Sequence, residues 1–167
     1  NIKSLDAFRM RYGDAHVVFA CHAALPLSLT PDLLYSLWAN FQVDSRGKHL
    51  GIPWTATADL LLSGLCEEVG DGLYEMSQQL RINLLDCLER DEHFGPDVIL
   101  KLAAFLYTYV QPSLNSEDLD LRDFAQTQSW VSMAYLCPKR AAQGLAVTLS
   151  NTLQIQPNDL LRVASIV

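Results

Sequence analysis

Cys21 and His22 stand side by side in the apolar run "HVVFACHAAL" (16–25), and a thiol beside an imidazole is the pair from which cysteine hydrolases make their nucleophile. On a helix, however, neighbouring residues point about 100° apart. Catalytic Cys and His meet across a fold from separate elements, so this pair reads as core, with a thiol hydrolase fragment using Cys21 or Cys66 as a minor alternative. The four cysteines, Cys21, Cys66, Cys87 and Cys137, contain no CxxC pair, and His16, His49 and His93 show no metal-ligand spacing. Reduced, mostly buried thiols are expected.

Acidic stretches invite the same test. "EDLDLRD" (117–123) offers oxygen ligands for a hard cation but lacks the central glycine and distal glutamate of a calcium loop, so it reads as a solvated acidic helix start. Glu67-Glu68 and Glu89-Asp91-Glu92 are carboxylates without a cleft to pair them. The sequence holds no GxxxxGK[ST] phosphate loop and no GxSxG elbow. The expectation is a chain without catalytic residues, metal or cofactor.

The elements that would position these residues are mostly helices. Half of the 167 residues are hydrophobic and 19% are charged, enough for a real core, and no apolar run approaches a membrane span. Ser4 is read as the cap of a first helix that ends at Gly13-Asp14, and "HVVFACHAAL" as a second that Pro26 closes. Thr30, Pro31 and Asp32 give a strong start signal for a third helix, in which Leu33, Leu34, Leu37, Trp38 and Phe41 share a face. The polar run 43–51 reads as a loop, and Pro53 leads a helix over 53–64.

Leu65–Val69 and Leu73–Met76 then flank Gly70-Asp71-Gly72, which is hairpin chemistry, with Gly70 and Gly72 able to take positive φ. Two strands alone are marginal and need helices beneath them. Ser77 caps the next helix, with Leu80, Leu84, Leu85 and Leu88 in one stripe. The helix over 97–110 is apolar almost all round, so it is central or covered by a partner. Helices over 124–136, after Pro138 and after Pro157 complete the pattern as antiparallel hairpins, Trp130 and Tyr135 facing Ala141, Ala142 and Ala146.

The fold expected is therefore mainly α: a winged-helix-like module over 1–92 with one small β-hairpin as its wing, and a helical hairpin extension over 93–167 packed on it. The chain starts without Met and stops inside an apolar pattern, which reads as a piece of a longer protein.

Particular residues then suggest a family. "FACHAALPLSLTPDLLYSLWANF" resembles the winged-helix segment that follows the nucleotide-binding core of STAND-type signalling ATPases of the NB-ARC kind, with Leu25-Pro26 and Leu37-Trp38 at the matching steps. "LYEMSQQLRINLLDCL" is similar to that family's end of wing and next helix, where Met76 fits the Met-His-Asp motif but Ser77 and Gln78 replace His and Asp. The resemblance covers roughly residues 15–90, and the missing histidine means that no nucleotide role is carried over. It implies a regulatory region of a bacterial multi-domain protein, cytoplasmic, in which such modules accompany effectors such as caspase-like proteases.

Charge bears on the partner. Residues 57–137 hold 14 acidic and 4 basic side chains, a net −10, while the two ends together carry +3. A winged-helix DNA binder would read with helix 53–64, which holds Asp59 and no Lys or Arg, so the electrostatics there have the wrong sign. A protein partner is expected instead, either neighbouring domains or an oligomer, with no nucleic acid and no membrane. Trp54 after its proline, and Phe105, Tyr107 and Tyr109 on the apolar helix, are the candidate interface residues.

Overall fold

A computed structural model describes residues 2–95 and 97–139. The chain divides into two compact units, Asn1–Ile99 and Leu100–Val167. Among the described residues there are seven α-helices and one two-stranded antiparallel sheet, so the fold is mainly α with a small hairpin.

In the first unit, α1 (Ile2–Tyr12) and α2 (Asp14–Ala23) are joined by Gly13, whose φ of 91° and ψ of 177° belong to a region that only glycine occupies readily. A Cβ here would meet no neighbouring atom within 4 Å, so the constraint is in the backbone alone. Gly13→Ala is expected to cost about 1–3 kcal/mol, read as a lower midpoint in urea unfolding. Ser4 sits inside α1 rather than at its cap, because the helix already begins at Ile2.

Helix α2 is the centre of the unit and contacts α1, α3, α4 and α5. Encirclement explains its nearly continuous apolar sequence: Val17, Phe19, Ala20, Cys21 and Ala23 are all buried. Helix α3 (Pro31–Asn40) starts as its sequence predicts, with the Thr30 hydroxyl accepting from the Leu33 N–H at 3.2 Å and Pro31 in the first turn. The loop after it is organised by Asp44, whose carboxylate accepts from the Arg46 and Lys48 N–H groups, both at 2.9 Å. Those backbone donors, Lys48 first, hold the Asp44 carboxyl below its usual pKa.

Regular helix in the next segment is shorter than the predicted 53–64. It runs only over α4 (Ala56–Leu61), with turns from Pro53 leading in and Leu62 closing it. The hairpin follows as β1 (Glu67–Gly70) and β2 (Leu73–Glu75), with Leu65, Cys66 and Met76 outside the strands. Gly72 carries the positive φ of the turn, 66°, while Gly70 stays in the strand opposite Leu73 next to a register shift.

The hairpin has more support than two strands supply. Leu29, in the connection between α2 and α3, exchanges both backbone hydrogen bonds with Tyr74 of β2, at 2.7 and 2.9 Å. This single residue adds a bridge on the other side of β2 from β1, and the Ser28 hydroxyl donates to the Glu75 carboxylate at 2.9 Å beside it.

Helix α5 (Gln78–Arg90) is capped by Ser77, which accepts from the Leu80 N–H at 3.3 Å. It packs on α2 through Leu80, Leu84 and Leu88, and through Arg81. Arg81 is buried, and its Nε and Nη2 donate to the carbonyls of Ala24 and Leu25 at 3.0 and 2.9 Å. A side chain from another helix thus satisfies the carbonyls that α2 leaves open at its end.

Helix α6 (Val98–Val110) is buried at Leu102, Ala103, Leu106 and Val110, and a 3-10 turn over Gln111–Ser113 ends it at Pro112. Helix α7 (Leu119–Leu136) begins five residues before the predicted 124. Asp118 is its cap, accepting from the Asp120 and Leu121 N–H groups, so "EDLDLRD" is the start of this helix. The helices expected after Pro138 and Pro157, with their facing alanines, lie outside the described residues.

Candidate interaction surface

Helix α4 is two-sided. Ala56, Thr57, Leu60 and Leu61 are buried, and the Thr57 hydroxyl donates to the Trp54 carbonyl at 2.8 Å, which fixes the approach from Pro53. On the outer side, Trp54 in the turn before the helix, Ala58 on it and Leu62 at its close are exposed, Trp54 57% and Leu62 82%. Nothing in the packing requires a tryptophan there, since its neighbours Ala56 and Thr57 already fill the inner face. The other tryptophan of this region, Trp38, is half-buried and donates its indole N–H to the Ile52 carbonyl at 2.8 Å.

Asp59 turns from this side to His16 on α2, with an Nε2 to Oδ2 distance of 2.9 Å. His16 is buried and stacks on Tyr12 with ring centroids 5.0 Å apart, so the pair ties α4 to α2 and α1. Beyond α4 the wing is exposed along all of β1, where Glu67, Glu68 and Val69 reach solvent. No Lys or Arg occurs between Lys48 and Arg81, so α4 and the wing carry Asp59, Glu67, Glu68, Asp71 and Glu75 with no basic side chain of their own.

The groups that suggested chemistry are separated by the fold. Cys21 and His22 diverge from α2: the imidazole packs against Phe41 and Phe94 and donates from Nδ1 to the Val18 carbonyl at 2.8 Å. Burial pushes the Cys21 thiol up to about 12 and the His22 imidazole below its usual value, the reverse of what a thiolate–imidazolium pair needs. Cys66 is likewise pushed up to about 12 by burial. Cys87 and Cys137 are exposed. A thiol reagent at neutral pH is expected to modify these two in the native chain, and Cys21 and Cys66 only after denaturant is added. Mass spectrometry of the labelled protein checks it, and rapid native labelling of Cys21 would restore the hydrolase reading.

Among the described residues, no group of three or more His, Cys, Asp or Glu side chains is placed to hold a metal ion. Grooves open on this unit as well. One, of about 390 Å³, lies between the wing and the start of α5, with Glu67, Glu75, Met76 and Ser77 in its wall. A second, of about 320 Å³, runs along α2 and α5 past Cys21, Cys87, Asp91 and His93. In the second groove His93 and Asp91, two residues apart on an exposed turn, lie within hydrogen-bond reach of each other, at 2.7 Å.

The other candidate aromatics are on α6. Phe105 and Tyr109 are half-buried and stack on each other with centroids 6.1 Å apart, while Tyr107 is exposed along with Leu100. Sequence reasoning missed the engagement of Asp59 by His16, because the two lie 43 residues apart. The exposed Leu62 was also missed, since a leucine in "DLLLSGL" counts equally toward core and surface until the helix phase is known.

The chain matches no protein-family model, no curated protein and no solved structure. Among the described residues no helix is long and apolar enough to cross a membrane.

Proposed function

We propose that this chain is a non-catalytic regulatory or adaptor module that binds protein, working within a bacterial signalling or defence protein of several domains. One observation carries the reading. In a winged-helix arrangement the helix before the wing and the wing itself are the surfaces that meet DNA, and here those elements expose Trp54 and Leu62 and bear carboxylates with no Lys or Arg from His49 to Leu80. DNA affinity rests on neutralising phosphates, whereas exposed tryptophan is the side chain most enriched at protein interface hot spots. The element order and the resemblance over residues 15–90 support the signalling context.

The competing reading is a winged-helix DNA binder. A gel shift of duplex DNA at low salt, beside a titration with the domains encoded next to this segment, decides between them. No shift and saturable binding of a neighbouring domain are the expected results; a salt-sensitive shift would reverse the proposal.

A further inference from the structure

We infer that the outer face of α4, together with the wing, docks a basic amphipathic segment of a partner protein. The inference rests on the protein-binding reading above and adds the partner's chemistry. Trp54 in the turn leading into α4, Ala58 on the helix and Leu62 in the turn that closes it are all exposed and present a short apolar patch. The small Ala58 between two large exposed residues leaves a notch for an apolar anchor side chain of a docking helix.

Charge selects what surrounds the anchors. Asp59 is engaged with His16 and Glu75 with Ser28, but Glu67, Glu68 and Asp71 stand on the exposed wing, and the one hydrogen bond to these three carboxylates among the described residues is a long one, 3.4 Å, from the Gly72 N–H to Glu68. Among the described residues no ion pair engages Glu67, Glu68 or Asp71, and the segment 49–80 itself carries no Lys or Arg. A partner bearing Lys or Arg beside its apolar anchors supplies that answer, and the face of Trp54 adds a cation–π contact for the same groups. An acidic segment would be repelled by the wing, and a second copy of this chain would bring the same carboxylates against themselves.

Two fluorescent helical peptides with one apolar pattern, one carrying lysines and arginines and the other glutamates, are titrated with the full 167-residue chain at low and high salt. The basic peptide is expected to bind at least tenfold more tightly and to weaken with salt. Trp54→Ala and Leu62→Ser should each lower its affinity about tenfold. The Glu67→Gln/Glu68→Gln double variant should keep binding but lose most of the salt dependence. These residues are exposed, so circular dichroism should give an unchanged melting temperature for every variant.

Equal binding of both peptides, lost in the Trp54 variant, would overturn the basic partner and leave the protein-binding reading intact. Binding that Trp54→Ala leaves unchanged, or binding of neither peptide, would overturn the docking face. Self-association abolished by Trp54→Ala would assign the patch to a second copy instead. Duplex DNA competing for the surface would overturn both this inference and the reading beneath it.

Discussion

Arg81→Met is expected to destabilise the protein by about 2–5 kcal/mol, the largest effect of any single charge removal in the described residues. The methionine keeps much of the aliphatic packing against α2 but donates no hydrogen bond. The carbonyls of Ala24 and Leu25, which Arg81 holds at 3.0 and 2.9 Å, then stay buried without that partner. Each loss is of the costly kind, a buried acceptor left unmade rather than a pair exchanged for water. Arg81→Lys should recover only part of the stability, because a single ammonium cannot reproduce the fork that reaches two successive carbonyls. Urea unfolding checks this: the midpoint should fall with an unchanged slope. A loss below about 1 kcal/mol would mean that water replaces the guanidinium at the end of α2.

Stability is expected to decline as pH drops below about 6.5, and His22 is the reason. Its ring lies between Phe41 and Phe94, and burial lowers its pKa in the folded protein. In the unfolded chain the imidazole takes up a proton near its usual value, so below that pH the unfolded state holds the extra proton and is favoured. The contribution is fully present above about pH 6.5 and is lost on acidification, at no more than about 1.4 kcal/mol per pH unit. Asp44, whose pKa is lowered, acts in a separate window, since its stabilisation is lost only as pH falls below the ordinary carboxylate range. His22→Leu should flatten the slope between pH 7 and about 5 while leaving the lower limb in place. Thermal melts across this range decide it, and an unchanged slope in the variant would move the effect to another group.

What the sequence revealed was local. Thr30-Pro31-Asp32 and Ser77 announce helix starts because the hydroxyl and the N–H it accepts from are three residues apart, inside any short window. The hairpin was legible from Gly72 for the same reason. The helix start at "EDLDLRD" was legible as an acidic first turn, but among its four carboxylates only the geometry picks Asp118 as the cap. Arg81 and Leu29 were illegible in principle. Their partners lie 57 and 45 residues away in the chain, and nothing in "SQQLR" or "LPLSL" marks a cation that will be buried or a residue that will become a strand. At the candidate surface, the position of Trp54 just after Pro53 pointed to its exposure, although the regular helix starts only at Ala56. Charge sign was legible throughout, being a property of composition and not of contact.

The bridge between Leu29 and Tyr74 gives the wing a folding history unlike that of an ordinary hairpin. A free hairpin closes in microseconds on its own turn, but this one is tied across a loop of roughly 45 residues, so that bridge forms only after α2 and α3 have been brought to it. In hydrogen exchange, the amides of Leu29 and Tyr74 should therefore share the slow opening of the helical core, while those at the wing's tip exchange quickly. The proposed docking surface is in this sense two materials: a tip free to adapt, on a base that moves only when the whole unit does.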